Sequence, residues 1–343
     1  MIEIQRPGLL TTVQDGGRKG YQAYGVPVCG AMDWLSLARA NLLAGNAWDE
    51  AALEVTGLGP AVQFSESCVF ALAGADFSAA LNGRPLAAHG AYLAHRGDLL
   101  ELGAARNGFR GYIAFSGGMD IPEIMESRST CLSAQFGGLE GRALKKGDRI
   151  GLRAPQFWQR GLPKRQLREN CSFEGPVRVV PGPQDGCFSQ AGLETFFSSE
   201  YRLGSQCDRM GCRLEGANIA LKEGCSPNIL SDGVVMGSIQ VPNGQPIVMM
   251  ADRQTTGGYV KLGTVISADL PLMAQKRPGD KVRFTCVTVQ EAQQTRLQCL
   301  RRLRNLEQEL ERGDLWCPAG TGNDKIIIKQ QLPRPMGLRQ FLL

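Results

Sequence analysis

The residues best suited to chemistry are concentrated in Val241–Tyr259, VPNGQPIVMMADRQTTGGY. Its turn, Pro242-Asn243-Gly244, suits a tight reversal, and the apolar run Pro246–Met250 reads as an interior strand. The strand runs into Asp252, Arg253, Gln254, Thr255 and Thr256, followed by the paired glycines Gly257 and Gly258. Asp, Gln and Thr supply donors and acceptors at one rim, and glycine pairs let a ligand or another backbone come close. An ordinary polar turn uses the same residue types, so both readings stand. Ser231-Asp232-Gly233, Gly237-Ser238 and Gln240 form a second polar edge leading into the same stretch. Near the N-terminus, Gln14, Asp15, Gly16 and Gly17 close the run Thr11–Val13 in the same manner. Arg209 and Arg213 flank Gly211. Guanidinium groups there could clamp a carboxylate or phosphate through two parallel hydrogen bonds; a solvated salt bridge is the alternative.

Composition excludes several classes of chemistry. Only two histidines occur, His89 and His95, and no Gly-x-Ser-x-Gly elbow is present, which disfavours a Ser-His-Asp or Cys-His enzyme. There is no Gly-x-x-x-x-Gly-Lys-Ser/Thr loop, so any use of ATP cannot rest on a P-loop. The 11 cysteines contain no Cys-x-x-Cys; they suit reduced thiols in a cytoplasmic protein, and no metal site is expected. A net charge of +5 spread along the chain gives no basic patch for nucleic acid. No run of about 18 apolar residues suggests a membrane span, and the N-terminus lacks the apolar core of a signal peptide.

The elements that must position these residues are mainly strands. The 343 residues, with 43 Gly and 18 Pro dispersed among them, suit two domains of short strands and turns. The periodicity predicts one clear early helix, Trp34–Ala44, capped by Asp33 and stopped by Gly45. Closely spaced strands between residues 61 and 153 predict a barrel or sandwich rather than βαβ units. The expected organisation is a barrel-containing domain over 1–155, a basic, proline-bearing connector over 156–175, and a second barrel over 176–290. An amphipathic helix over 291–312 and a tail over 313–343, expected to be poorly ordered, complete it. A loose echo between Gly111-Tyr112 with Gly147-Asp148 and Gly258-Tyr259 with Gly279-Asp280 hints at two related barrels.

Seven motifs together resemble one family: TTVQDGGRKGY, GAMDWLSLARANLLAGN, ALEVTGLGP, AFSGGMD, FGGLEGRALKKGD, RMGCRL and SIQVPNGQPIVMMADRQTTGGY. In order and spacing they look like the biotin-dependent carboxyltransferase-related family. That family includes allophanate hydrolase subunit 2, the urea carboxylase carboxyltransferase domain, KipA and the C-type component (PxpC) of ATP-dependent 5-oxoprolinase. The resemblance covers roughly residues 1–295. It implies two cyclophilin-like β-barrel domains, and a site at or near the interface with a smaller KipI-like protein. Because no biotin carboxylase or biotin carrier is fused to the chain, the 5-oxoprolinase reading is favoured. That reading implies ATP with Mg2+ in a heteromeric complex that opens 5-oxo-L-proline to L-glutamate. Its other members would be a KipI-like partner (the B-type component of 5-oxoprolinase) and a LamB/YcsF-type partner (the A-type component). Arg209, Arg213 and the backbone N–H groups of Thr255–Gly258 would then face developing phosphoryl or oxyanion charge. Asp15 and Asp252 would hold a metal–nucleotide or a substrate amide. Two alternatives remain: a carboxyltransferase half-domain that accepts carboxybiotin, and a non-enzymatic KipA-like antagonist of a kinase inhibitor.

Overall fold

The computed structural model describes residues 1–153, 165–167 and 173–315, so the expected connector lies largely outside the described residues and the tail does so beyond 315. The first half is almost entirely strands: β1 (Ile2–Arg6), β2 (Leu10–Gln14), β3 (Ala52–Thr56), β4 (Ala61–Phe64), β5 (Cys68–Asp76), β6 (Ala80–Leu81), β7 (Arg84–Pro85), β8 (Gly90–Ala94), β9 (Leu99–Glu101), β10 (Asn107–Phe115), β11 (Met119–Asp120) and β12 (Arg149–Leu152). They form a seven-stranded sheet, β11-β12-β1-β4-β9-β6-β7, and a five-stranded sheet, β2-β3-β10-β5-β8. One apolar core draws on both sheets, including Ile2, Ile4, Phe64, Phe70, Ile113 and Phe115. Helix α1 (Trp34–Ala44) covers the outer face of the five-stranded sheet, so β5 and β10 are buried on both sides and read as continuous apolar runs. The Asp33 carboxylate accepts the Ser36 backbone N–H, and Gly45 ends the helix in the left-handed region, as the sequence predicts.

The second half comprises β13 (Val177–Pro181), α2 (Gln190–Ser198), β14 (Glu200–Cys207), β15 (Gly211–Glu215), β16 (Asn228–Gly233), β17 (Ser238–Gln240), β18 (Ile247–Met249), β19 (Thr256–Tyr259), β20 (Lys261–Val265), α3 (Leu270–Ala274) and β21 (Lys281–Cys286). Seven of these strands close a barrel in the order β13-β20-β17-β18-β15-β14-β21, sealed by the parallel pair β13–β21. β16 and β19 stand apart as a two-stranded ribbon. The mainly β class with few helices therefore holds, with barrel closure in the second half and two sheets around one core in the first. Helix α4 (Val289–Leu315) straps the halves together. Its Leu303 and Leu310 join the core beneath α1, Arg296 stacks 3.8 Å over the Trp34 ring, and its Thr295 hydroxyl accepts from Arg178 on β13.

Candidate functional site

Where the halves meet, polar side chains replace the apolar core. Glu54 sits in the middle of β3, 1% exposed, among apolar neighbours. A buried carboxylate requires a cation and donors, and it has them. Its Oε2 accepts from the Met32 N–H at 2.8 Å and the Tyr112 hydroxyl at 2.7 Å, and its Oε1 pairs with the guanidinium of Arg209 from the other half. Arg209 is itself 4% exposed. Its Nε and Nη2 close as a fork on Asp252 at 3.0 and 2.8 Å, and Nη2 also donates to the Gly30 carbonyl at 2.7 Å. Burial alone would lower its pKa; Glu54 and Asp252 outweigh that and raise it. The same seam continues through Asp33, whose carboxylate accepts from Gln275 at 2.8 Å, and Gln275 in turn accepts the backbone N–H groups of Phe109 and Arg110.

Arg209 and Asp252, expected to meet a substrate and a metal–nucleotide, are paired within the folded chain. The Arg209 fork and the Asp252 carboxylate are each engaged by the other in this structure. The reason is long-range: Glu54 and Gly30 arrive from the first half and take the remaining donors. Sequence reasoning misses Glu54, although a lone acidic residue inside the apolar strand Ala52–Thr56 signals a buried ion pair.

Asp15 is likewise committed. Its carboxylate accepts from the Gly17 N–H and the Ser127 hydroxyl at 2.8 Å each, from the Arg128 N–H, and from the Ser129 hydroxyl. It thereby pins the loop 127–130 to the turn after β2. Gln14 is fully buried, with its amide nitrogen on the Thr130 carbonyl at 3.2 Å and its amide oxygen without a partner among the described residues. Gly16 donates to the Asp49 carbonyl at 3.1 Å. Gly17 has φ +86°, and a Cβ there would meet Val28 Cγ1 at 2.9 Å, while a Cβ on Gly30 would meet the Gly17 Cα at 2.8 Å. The two glycines permit this close crossing of backbones.

The second rim is built differently. Gln254 and Thr256 are exposed, Thr255 and Gly258 half-buried, and Thr256–Tyr259 pairs with the exposed strand β16. Gly257 packs on Gln240, whose buried amide nitrogen has no partner among the described residues. Arg213 points outward on β15 and does not join Arg209, because alternation along the strand sends Cys212 and Leu214 inward. Sequence reasoning also gives Arg253 no role. It is 5% exposed and, among the described residues, its side chain donates to the carbonyls of Val234 at 3.0 Å and Met250 at 3.3 Å. Among the described residues it has no carboxylate within salt-bridge distance. Burial holds its pKa down to about 10, against the opposing pull of Cys29 and Asp252. Arg18 is the corresponding case in the first half. It is fully buried over the Phe136 ring, bonded to the Ile124 and Ser129 carbonyls, and its Nη1 has no partner among the described residues.

Gly30 and Ala31 connect the first rim to Arg209, the partner of Asp252. The Asp15 carbonyl accepts the Ala31 N–H at 3.0 Å, and Gly30 accepts Arg209. Cys29 is one residue earlier, and its thiol, with Ser133, lowers the Cys131 thiol to about 6 despite its burial. On the far side, the Gln22 amide reaches the Val234 carbonyl at 3.4 Å, the acceptor that also serves Arg253. Around Val234 and Gly257 the arrangement places Arg253, without a carboxylate partner among the described residues, and the unpartnered Gln240 amide. Such donors suit anionic oxygen. No group of three His, Cys, Asp or Glu side chains among the described residues is placed to share a metal ion. A polar cavity of about 270 Å3 elsewhere, lined by Asp76, His89, Asn107 and Gln166, contains none of these residues.

A family model described as the carboxyltransferase domain, subdomain A and B, matches residues 24–286. The chain is 39% identical to the C-type subunit of 5-oxoprolinase from Escherichia coli (strain K12) over 302 residues, covering 86% of this chain and 94% of that protein. It is 32% identical to the urea amidolyase of Lachancea kluyveri, of which it spans 17%. The crystal structure of the K. lactis urea amidolyase superimposes with a TM-score of 0.82 at 30% identity, covering 89% of this chain and 20% of that one.

Proposed function

The chain belongs to the carboxyltransferase-domain A and B family, and from that premise we propose that it is the C-type subunit of an ATP-dependent 5-oxoprolinase complex. The observation that carries this is coverage. The match spans nearly the whole of the bacterial C-type 5-oxoprolinase protein but a small fraction of urea amidolyase. In this reading the chain acts with a KipI-like B-type partner and a LamB/YcsF-type A-type partner to open 5-oxo-L-proline to L-glutamate.

The residues divide the work. The Glu54–Arg209–Asp252 seam fixes the two halves, and with them the position of the second rim. Arg253, the Gln240 amide, the Gln254 and Thr255 side chains and the glycine-flanked backbone at Gly257–Gly258 face the oxygen that gains charge during ring opening. A desolvated guanidinium without a fixed counter-ion is suited to that role, because an arriving anion supplies the missing partner. ATP would supply phosphoryl activation of the lactam carbonyl. The described residues fit an anionic group but not the Mg2+ that accompanies it, since Asp15 and Asp252 are already committed to protein donors. The test is reconstitution. With both partner proteins, ATP-dependent ring opening should appear, and the chain alone should be silent. Carboxybiotin-dependent transfer by this chain without 5-oxoproline cleavage would favour the carboxyltransferase reading instead.

A further inference from the structure

Cys207 ends β14, Cys212 is the second residue of β15, and the two are direct register partners. The next pair toward the tip is tied by the Asp208 N–H to the Gly211 carbonyl at 3.2 Å. The cysteines therefore occupy the adjacent non-hydrogen-bonded position, where Cα atoms approach to about 4.5 Å and side chains are closest. That separation falls within the roughly 4.4–6.8 Å that a disulfide spans. The Cys207 thiol itself donates to the Arg213 carbonyl at 3.7 Å. The two cysteines differ in exposure: Cys207 is half-buried, whereas Cys212 is 3% exposed inside the barrel. The other thiol pairs lack this combination. Cys29 and Cys131 are both buried, and Cys187 and Cys225 are joined by no strand register.

We propose that Cys207 and Cys212 are a peroxide-responsive dithiol, a modification site in which Cys207 is the attacking sulfur and Cys212 the resolving one. The Cys207 thiolate attacks the O–O bond of a hydroperoxide, forming S–O and releasing an alkoxide or hydroxide that takes up a proton. The Cys212 sulfur, losing its proton, then attacks the Cys207 sulfenic acid; the S–O bond breaks, water leaves and the S–S bond forms. The two thiols lose two electrons and the peroxide gains them. Local chemistry agrees with this division. The adjoining Cys212 thiol and the nearby Arg110 charge lower Cys207 against the effect of burial. The neighbouring Cys207 sulfur and deep burial raise Cys212 well above the usual thiol range. A partly exposed, low-pKa thiol beside a resolving thiol is the pattern expected of a redox-responsive pair. The bond would close the hairpin tip that carries Arg209.

The full chain is treated with hydrogen peroxide, alkylated, and digested with trypsin without reduction. Cleavage after Arg202, Arg209 and Arg213 gives Leu203–Arg209 and Met210–Arg213, which only a Cys207–Cys212 bond can hold together. The joined peptides, lighter by two hydrogens and released by dithiothreitol, are the expected product. In Cys212→Ser the sulfenic acid has no neighbour to close on, so dimedone labelling of Cys207 should rise at least about fivefold. Absence of the joined peptides while exposed Cys286 is oxidised would overturn the proposal. So would linkage of Cys187 to Cys225 in their place, or a Cys207 bond between two chains.

Discussion

The two glycine-paired rims have nearly the same composition and opposite physical characters. Gln14–Gly17 is sewn into the protein: the Asp15 carboxylate takes four donors, and the backbone crosses another segment at Gly30. Gln254–Gly258 runs into a two-stranded ribbon that starts at Thr256, with Arg253 desolvated and lacking a carboxylate partner among the described residues. The same contrast holds for two arginines close in the fold. Arg209 lies between two carboxylates, while the partners of Arg253 among the described residues are backbone carbonyls. Residue type therefore does not separate scaffold from site here. The separation lies in whether each polar group's partners come from the protein itself.

The contrast can be broken by mutation, beginning with the largest expected effect. Arg209→Ala strands Glu54 and Asp252 as buried, unpaired carboxylates and should destabilise the chain by about 3–5 kcal/mol in chemical denaturation. Arg209→Lys should also lose most of that stability, because a point charge cannot reproduce the fork on Asp252. An unchanged denaturation midpoint in both variants would make Arg209 a substrate ligand after all.

Asp15→Ala leaves the Ser127 and Ser129 hydroxyls and two backbone N–H groups without their acceptor. A loss on the order of 2–3 kcal/mol is expected, read as a lower midpoint at constant slope. A glycine pair sharpens the comparison further. Gly17→Ala combines a positive φ with a clash against Val28 and should cost about 1–3 kcal/mol. Gly258→Ala has ordinary backbone and meets only the Ile229 carbonyl at 3.4 Å and the Ser231 hydroxyl at 3.7 Å, so its effect should stay within about 0.5 kcal/mol. Equal melting temperatures for the two variants would erase the distinction between the rims.

Much of the scaffold is legible in the sequence, because its signals are local. Asp33 and Gly45 bracket α1, alternating and continuous apolar runs mark the strands, and the leucines of α4 mark its buried face, although Leu297 is 44% exposed. The site is less legible, because its decisive facts are pairings across long sequence separations. Arg209, in the turn between β14 and β15, meets Glu54 on β3 of the other half, and nothing near position 209 announces that its fork is already occupied. The echo between halves shows the same limit. Tyr112 is buried with its hydroxyl on Glu54, whereas Tyr259 ends an open ribbon with 40% exposure, so similar dipeptides serve dissimilar positions. Arg253 is visible in the sequence, but its lack of a counter-ion is a property of the folded chain alone.

The central claim, that Arg253 serves chemistry while Arg209 serves structure, is tested most directly by Arg253→Gln in the complex reconstituted with both partner proteins. Removing a desolvated charge offsets the two hydrogen bonds lost to carbonyls, so the stability change should be within about 1 kcal/mol. ATP-dependent opening of 5-oxoproline should nonetheless fall at least about tenfold, equivalent to roughly 1.4 kcal/mol or more of transition-state stabilisation. Full turnover by a normally folded Arg253→Gln complex would contradict the account.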